Sequence, residues 1–321
     1  MTQPSIFPQW DLKRGAIYQD VYSKRVDERP VEVVASLVRA RVEGDALTFA
    51  SESQRHCALR DGIFLLYIPA TIDLSAGDAF AGGFYQGSTS QPYGRFRSMT
   101  SEHFGDPLLG FHERSNQIEQ FLLERRFWKR DYPIEIMDIG EQMVALAHTV
   151  LRSVLRLTDI PERDWPTATG GCSDAAGSYH LTFNHYRPAL PGVGLASHKD
   201  DGFVTLLRTT AAGLEINRNE NWESVVPDPA YFVVNFGLSM EVLTRESAQP
   251  VAAIMHRVRH QSSDRFSFGH FSSSFCEPDS DVGIYCFNTE AGLRRICSSR
   301  NLIDANDEEI YQGTQRRGES P

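Results

Sequence analysis

The chain has 321 residues, is 41% hydrophobic and 23% charged, and carries a formal net charge of −10. That length supports one large domain or two smaller ones with an ample core. The acidic balance speaks against a nucleic-acid binder, which presents a net basic face. The five cysteines, Cys57, Cys172, Cys276, Cys286 and Cys297, form no CxxC and suit reduced thiols rather than a disulfide frame. The longest apolar run, Gly62 to Ala70, is far too short to span a bilayer, and the first residues show no apolar secretion core. No membrane association and a cytoplasmic location are the expectations.

Residues 1 to 29 read as irregular. Pro30 suits a first helical turn, so a helix is expected from Val31 to about Glu52. Gly62 to Ile68 is apolar and β-rich and ends at Pro69, which predicts a buried strand. Residues 87 to 115 are rich in Gly, Ser, Pro and Arg and read as loops. The basic run Arg125 to Arg130 reads as a solvated helix end with its aromatics tucked inward. Apolar residues at helical spacing, from Met137 through Val144, Ala147, Leu151 and Val154, predict a core-facing helix over Met137 to Leu157.

From Ser178 the period changes to two. Short β-rich runs cover Tyr179 to Tyr186, Gly202 to Thr209, Leu214 to Asn217, Trp222 to Val226, Tyr231 to Phe236, Ala253 to Val258 and Arg265 to Phe271, with turn formers between them. Many short strands at close spacing predict a mainly β fold with flanking helices, a sandwich or jelly roll. After Asn301 an acidic stretch and then Arg316-Arg317 read as a helix with a frayed end. One domain is expected. It has a helical and mixed part over about 1–177, a jelly-roll core over about 178–275 and a C-terminal segment over about 276–321.

His198-Lys199-Asp200, followed at a distance by His256, supplies two imidazoles and one carboxylate. That set suits a non-haem Fe(II) with open coordination positions, and zinc is the main rival. An isolated H-x-D usually means a surface histidine beside an acid. Here residues i and i+2 of a strand share a face, so His198 and Asp200 can point inward together while Lys199 points away. Arg265 and Ser267 share a face in the same manner, and a guanidinium beside a hydroxyl can clamp a carboxylate. An ordinary structural salt bridge is the competing role for Arg265. Asn184 and Tyr186 also share a face and could complete such a site, or simply be satisfied polar groups at an edge.

These residues, with Leu59 to Phe64, Asn184-His185-Tyr186-Arg187-Pro188, Thr205-Leu206-Leu207, Gly213-Leu214, Trp222, Asn235-x-Gly237, Glu241, Thr244 and His256-Arg257-Val258, resemble the Fe(II)/2-oxoglutarate-dependent oxygenases of the isopenicillin N synthase-like superfamily. The ordered set runs from about Leu59 to Phe275. Leu238 and Arg245 depart from the family pattern, at positions that are not ligands. The resemblance implies a double-stranded β-helix, with Fe(II) held by His198, Asp200 and His256. It implies 2-oxoglutarate held by Arg265 and Ser267 with help from Tyr186 and Asn184. The implied activity is a dioxygenase that uses O2 and 2-oxoglutarate to hydroxylate, desaturate or cyclise a small molecule. The implied setting is bacterial specialised metabolism such as antibiotic biosynthesis, with the protein as a monomer. Two other readings stay open: an iron oxidase that does not use 2-oxoglutarate, and a catalytically silent metal-binding scaffold. Arg95, Arg97 and Arg114 are candidates to meet an acidic substrate, in a pocket walled by residues 87 to 115 and the tail after Asn301.

Overall fold

The computed structural model describes residues 31, 33–277 and 279–311. The expectations for residues 1–29, for Pro30 and for Arg316-Arg317 lie outside them. Fourteen strands of the described chain build two facing sheets, numbered here in chain order. They are β1 (Val33–Val34), β2 (Arg39–Glu43), β3 (Ala46–Phe49), β4 (Ile63–Tyr67), β5 (Gly110–Glu113), β6 (Ile118–Glu124), β7 (Ser178–Tyr186), β8 (Leu195–His198), β9 (Val204–Thr209), β10 (Leu214–Arg218), β11 (Asn221–Ser224), β12 (Tyr231–Phe236), β13 (Met255–Val258) and β14 (Arg265–Ser273).

The smaller sheet has the order β1-β11-β10-β13-β8, and the larger has β3-β2-β4-β12-β9-β14-β7-β6-β5. From β7 to β14 the chain shuttles between the two. This leaves β7, β9, β12 and β14 in the larger sheet and β8, β10, β11 and β13 in the smaller. Two four-stranded layers wound in this way are the jelly roll expected from the sequence. The strand runs predicted from Ser178 onward match their observed counterparts to within a few residues, because turn formers bound each one.

The segment read as a helix from Val31 to Glu52 is instead β1 and the β2–β3 hairpin. Glu43 pairs with Ala46 across a two-residue turn, and Gly44 sits there at φ 63°. That Gly-Asp turn between alternating residues is a hairpin signal that outweighs the helix propensity of the flanking residues. The helix starts later, at Glu52–Asp61, where the Ser51 hydroxyl accepts from the Gln54 amide. Residues 87 to 115 are not all loop: they include a helical turn at Ser101–Phe104 and β5.

The predicted core helix is present as Ile134–Leu155 and buries Met143, Val144, Ala147, Val150, Leu151 and Val154. It packs on the outer faces of β9 and β14. The basic run forms a helix at Arg125–Asp131 with Trp128 buried against Gly140, where a Cβ would strike the indole. No described helix is long and apolar enough to cross a membrane. The five cysteines are all free thiols.

Candidate functional site

His198 closes β8, and His256 lies directly opposite it on β13. Their rings stand 4.2 Å apart between centroids. Asp200 does not sit on the strand, as i, i+2 spacing had suggested, because β8 ends at His198. A turn brings the carboxylate in instead. That turn is fixed from outside: the Leu238 amide donates to the Asp200 carbonyl at 2.7 Å, and the Ser239 hydroxyl donates to the Asp201 carbonyl at 2.6 Å. Lys199 points away, as expected, and pairs with Glu241 at 2.8 Å. The same Glu241 carboxylate accepts from the Ala253 amide at 2.7 Å. One acid in the helix Leu238–Thr244 therefore ties down both ligand-bearing segments.

The Asp200 Oδ1 lies 3.7 Å from the His198 Nε2 and 3.6 Å from the His256 Nε2. One nitrogen or oxygen from each residue falls within 4.8 Å of the others, and all three residues are buried. His198 Nδ1 meets the Ala196 carbonyl at 2.9 Å, and His256 Nδ1 meets the Ile254 carbonyl at 3.3 Å. A carbonyl only accepts, so both Nδ1 atoms carry hydrogen, and the basic Nε2 atoms face the carboxylate. The Asp200 Oδ2 is buried with no hydrogen-bond partner. A buried carboxylate oxygen left this way is costly unless a cation occupies the space before it. The donor set suits a divalent transition metal and, with only three protein ligands, leaves positions open.

Across the cavity, β7 and β14 present the other four predicted residues as two cross-strand pairs, Arg265 opposite Tyr186 and Ser267 opposite Asn184. Arg265 is 2% exposed. Its Nε donates to the Ala212 carbonyl and one Nη to the Thr209 hydroxyl, both at 3.1 Å, and its guanidinium lies 4.6 Å over the Tyr186 ring. Its Nη1 has no partner, and among the described residues no carboxylate pairs with it. The structural salt bridge considered for Arg265 is therefore absent. A buried guanidinium held by neutral groups, with one donor unused, suits an anion. Burial raises the Tyr186 phenol above its ordinary value, while the Arg265 charge and the Ser267 hydroxyl pull the other way.

The triad and the clamp line one cavity between the sheets, with Thr205, Leu207, Asn235 and Phe271 also in its wall. Asp201 lines it too, and burial, followed by the charge of Asp200, pushes its carboxyl up to about 7. The predicted outer walls are partly right. Leu108 and Arg114 contribute from the earlier segment, and Ile303, Asn306, Asp307, Ile310 and Tyr311 contribute from the helix Ser299–Tyr311. Arg95 and Arg97 do not line the cavity. Arg97 is committed to Glu113 at 2.6 Å, and the Arg95 guanidinium lies over Phe96. Arg114 does line it but is paired with Asp307 at 3.2 Å. Sequence reading missed Thr209, the partner of Arg265, and Gln120, which donates to Asn184 at 3.0 Å. Only the period-two alternation of β9 and β6 would have pointed to their faces.

A jelly roll with a buried two-histidine, one-carboxylate cluster facing a buried guanidinium across one cavity has a donor set that suits a non-haem metal ion. Residues 178–274 match the family model described as the 2OG-Fe(II) oxygenase superfamily. It is 30% identical over 158 residues to jasmonate-induced oxygenase 2 of Arabidopsis thaliana, covering 47% of this chain and 40% of that protein. It is 28% identical over 161 residues to DMR6-LIKE OXYGENASE 1 of Arabidopsis thaliana, covering 48% and 43%. The chain thus spans less than half the length of these curated relatives. Among solved structures, JOX2 in complex with 2OG, Fe and JA superimposes with a TM-score of 0.62 at 19% identity, covering 84% of each chain. The dioxygenase for auxin oxidation from rice gives 0.54 at 18% identity, covering 82% of this chain and 89% of that one. At those identities the likeness carries the fold.

Proposed function

We propose that the protein is an Fe(II)- and 2-oxoglutarate-dependent dioxygenase, with His198, Asp200 and His256 as metal ligands and Arg265, Ser267, Tyr186 and Asn184 as the co-substrate site. The observation that carries this reading is the buried Arg265 guanidinium, unpaired at Nη1 and facing the same cavity as the triad. A single anion with two different ends suits both halves: a distal carboxylate for Arg265 and Ser267, and a metal-chelating keto acid for the triad.

Each side chain has a definable task. Arg265 and Ser267 anchor the distal carboxylate by charge-assisted hydrogen bonds and so set the depth at which the other end rests. Thr209 and Tyr186 hold the guanidinium in place before anything binds, so little order is lost on binding. The buried walls exclude water from the reacting centre. Bound Fe(II) would supply redox chemistry, coupling oxidative decarboxylation of 2-oxoglutarate by O2 to oxidation of a substrate C–H, with succinate and carbon dioxide released.

The substrate in this reading is a small molecule of the kind made in specialised metabolism, and the outcome is hydroxylation, desaturation or ring formation. The relatives' names include jasmonate-induced and gibberellin 2-beta-dioxygenase proteins, which supports a compact organic substrate. The reading takes the chain as one domain and as a monomer in the cytoplasm. The test is anaerobic addition of Fe(II) and then 2-oxoglutarate, watched for a visible charge-transfer band, followed by assay of succinate release with candidate substrates. A band and substrate-stimulated succinate are the expected results. Oxygen consumption without succinate would move the protein to the oxidase reading.

A further inference from the structure

We infer that Gln120 is a positioning residue: held by Arg114 and Tyr311, it orients the Asn184 carboxamide so that an N–H donor faces the co-substrate cavity. The inference rests on the dioxygenase reading and deepens it. Gln120 on β6 is 7% exposed and lies directly opposite Asn184 on β7. Its Oε1 takes a hydrogen bond from the Arg114 Nε at 3.2 Å and one from the Tyr311 hydroxyl at 2.8 Å. A guanidinium has no acceptor, so the end of Gln120 that meets Arg114 must be the oxygen. Its other end is then the NH2 group, which donates to Asn184 at 3.0 Å. A donor there requires the Asn184 oxygen to face Gln120. The Asn184 NH2 is left pointing the other way, with no partner among the described residues, and Asn184 lines the cavity beside Ser267.

The polarity of the chain of hydrogen bonds is therefore fixed from its outer end. An arginine that can only donate dictates, through two carboxamides, what the cavity wall offers. What it offers is a donor, which matches an oxygen of a keto acid or carboxylate. Tyr311 closes the helix Ser299–Tyr311, and its ring lies 3.8 Å beneath the Arg114 guanidinium. Docking of that helix and the donor face of Asn184 are thus one arrangement.

The test is Gln120→Glu, which keeps the shape and removes the donor. Its carboxylate still accepts from Arg114 and Tyr311, but Asn184 must now turn its NH2 toward residue 120 and show its oxygen to the cavity. The readout is the dissociation constant of 2-oxoglutarate, titrated anaerobically into the Fe(II)-loaded protein. Loss of one hydrogen bond, with an acceptor placed against an acceptor, is expected to raise it about tenfold. Tyr311→Phe, which leaves Arg114 in place, should raise it only about two- to threefold. In an Asn184→Leu background Gln120→Glu should add less than about twofold, because the residue acts through Asn184.

Unchanged affinity in Gln120→Glu, or an equal loss in the Asn184→Leu background, would overturn the inference. If Gln120→Glu does not fold, the same double-mutant comparison with Tyr311→Phe decides. Failure of the dioxygenase reading looks different: the wild-type protein would then bind no 2-oxoglutarate at all, and Arg265→Ala would change nothing.

Discussion

On β14, Phe266, Phe268 and His270 point to the helical layer, while Arg265, Ser267 and Phe271 point into the cavity between the sheets. The helical side is packed for stability. Phe268 is 1% exposed, stacks on Phe183 with ring centroids 5.2 Å apart, and lies so close to Gly77 that a Cβ there would strike its ring. The cavity side holds a guanidinium with an unused donor. Both faces carry an imperfectly satisfied polar group, but with different meanings. His270 is fully buried, and neither ring nitrogen has a hydrogen-bond partner, although Tyr179 stacks on it. It does not line the cavity that Arg265 faces, so its deficit counts as a cost to the fold. Arg265 faces space that an anion can fill, and under the proposed function its deficit would be the origin of affinity.

Substitutions on the two faces should separate cleanly. The largest effect is expected from Phe268→Ala, which should cost about 3–5 kcal/mol of stability. Urea unfolding measures it, and the affinity of the remaining folded protein for 2-oxoglutarate should stay within about twofold because the ring never touches the cavity. Arg265→Ala should do the reverse. Removing one partner of a buried charge pair costs about 2–5 kcal/mol of binding, or about 30-fold to a few thousand-fold in the 2-oxoglutarate requirement. Its unfolding midpoint should move little, since the folded state loses a charge that had no anionic partner. A variant that lost stability and affinity together would break the distinction between the faces.

The smallest effect concerns acid. Burial pushes the His270 imidazole down to about 3, with His180 and Arg125 adding in the same direction. The native state therefore releases a proton that the unfolded chain binds below its ordinary value of 6.5. Stability contributed by neutral His270 is complete above that value and is lost as pH falls toward the native one. His270→Phe should flatten this slope and gain about 1–2 kcal/mol at pH 5 relative to wild type. At pH 7 the gain should be smaller. Unfolding curves at the two pH values give the comparison. Equal gains at both would show that packing, not proton uptake, accounts for the difference.

The contrast between the faces also explains what could be read from the amino acids alone. Period-two alternation puts His198 with Asp200, and Arg265 with Ser267, on shared faces, because a strand leaves a side chain only two directions to point. The jelly roll was legible for the same reason, its strands being cut by Pro, Gly and Asn. Asp200 was assigned the right destination by the wrong route: a turn delivers it, and what fixes that turn is backbone hydrogen bonding from residues 238 and 239, which no side-chain pattern reveals. Gln120, Tyr311 and Thr209 were illegible because their importance lies in partners far away in the chain. Arg114 was suspected for its charge, yet Asp307 already answers that charge. At the start of the described chain the Gly44-Asp45 turn is visible in the sequence, but the helix expected from Val31 rests on Pro30 and passes over it.

The direct opposition of His198 and His256 across β8 and β13 has a consequence for how the protein can be handled. The ladder shifts immediately after this pair, between His256 and Val258, so the two imidazoles meet at the last regular rung. A slip of β13 by one residue would swing His256 outward and carry Arg257 in against the carboxylate. Iron retention by refolded protein would thus act as a gauge of correct strand alignment, sensitive to an error that circular dichroism would pass over.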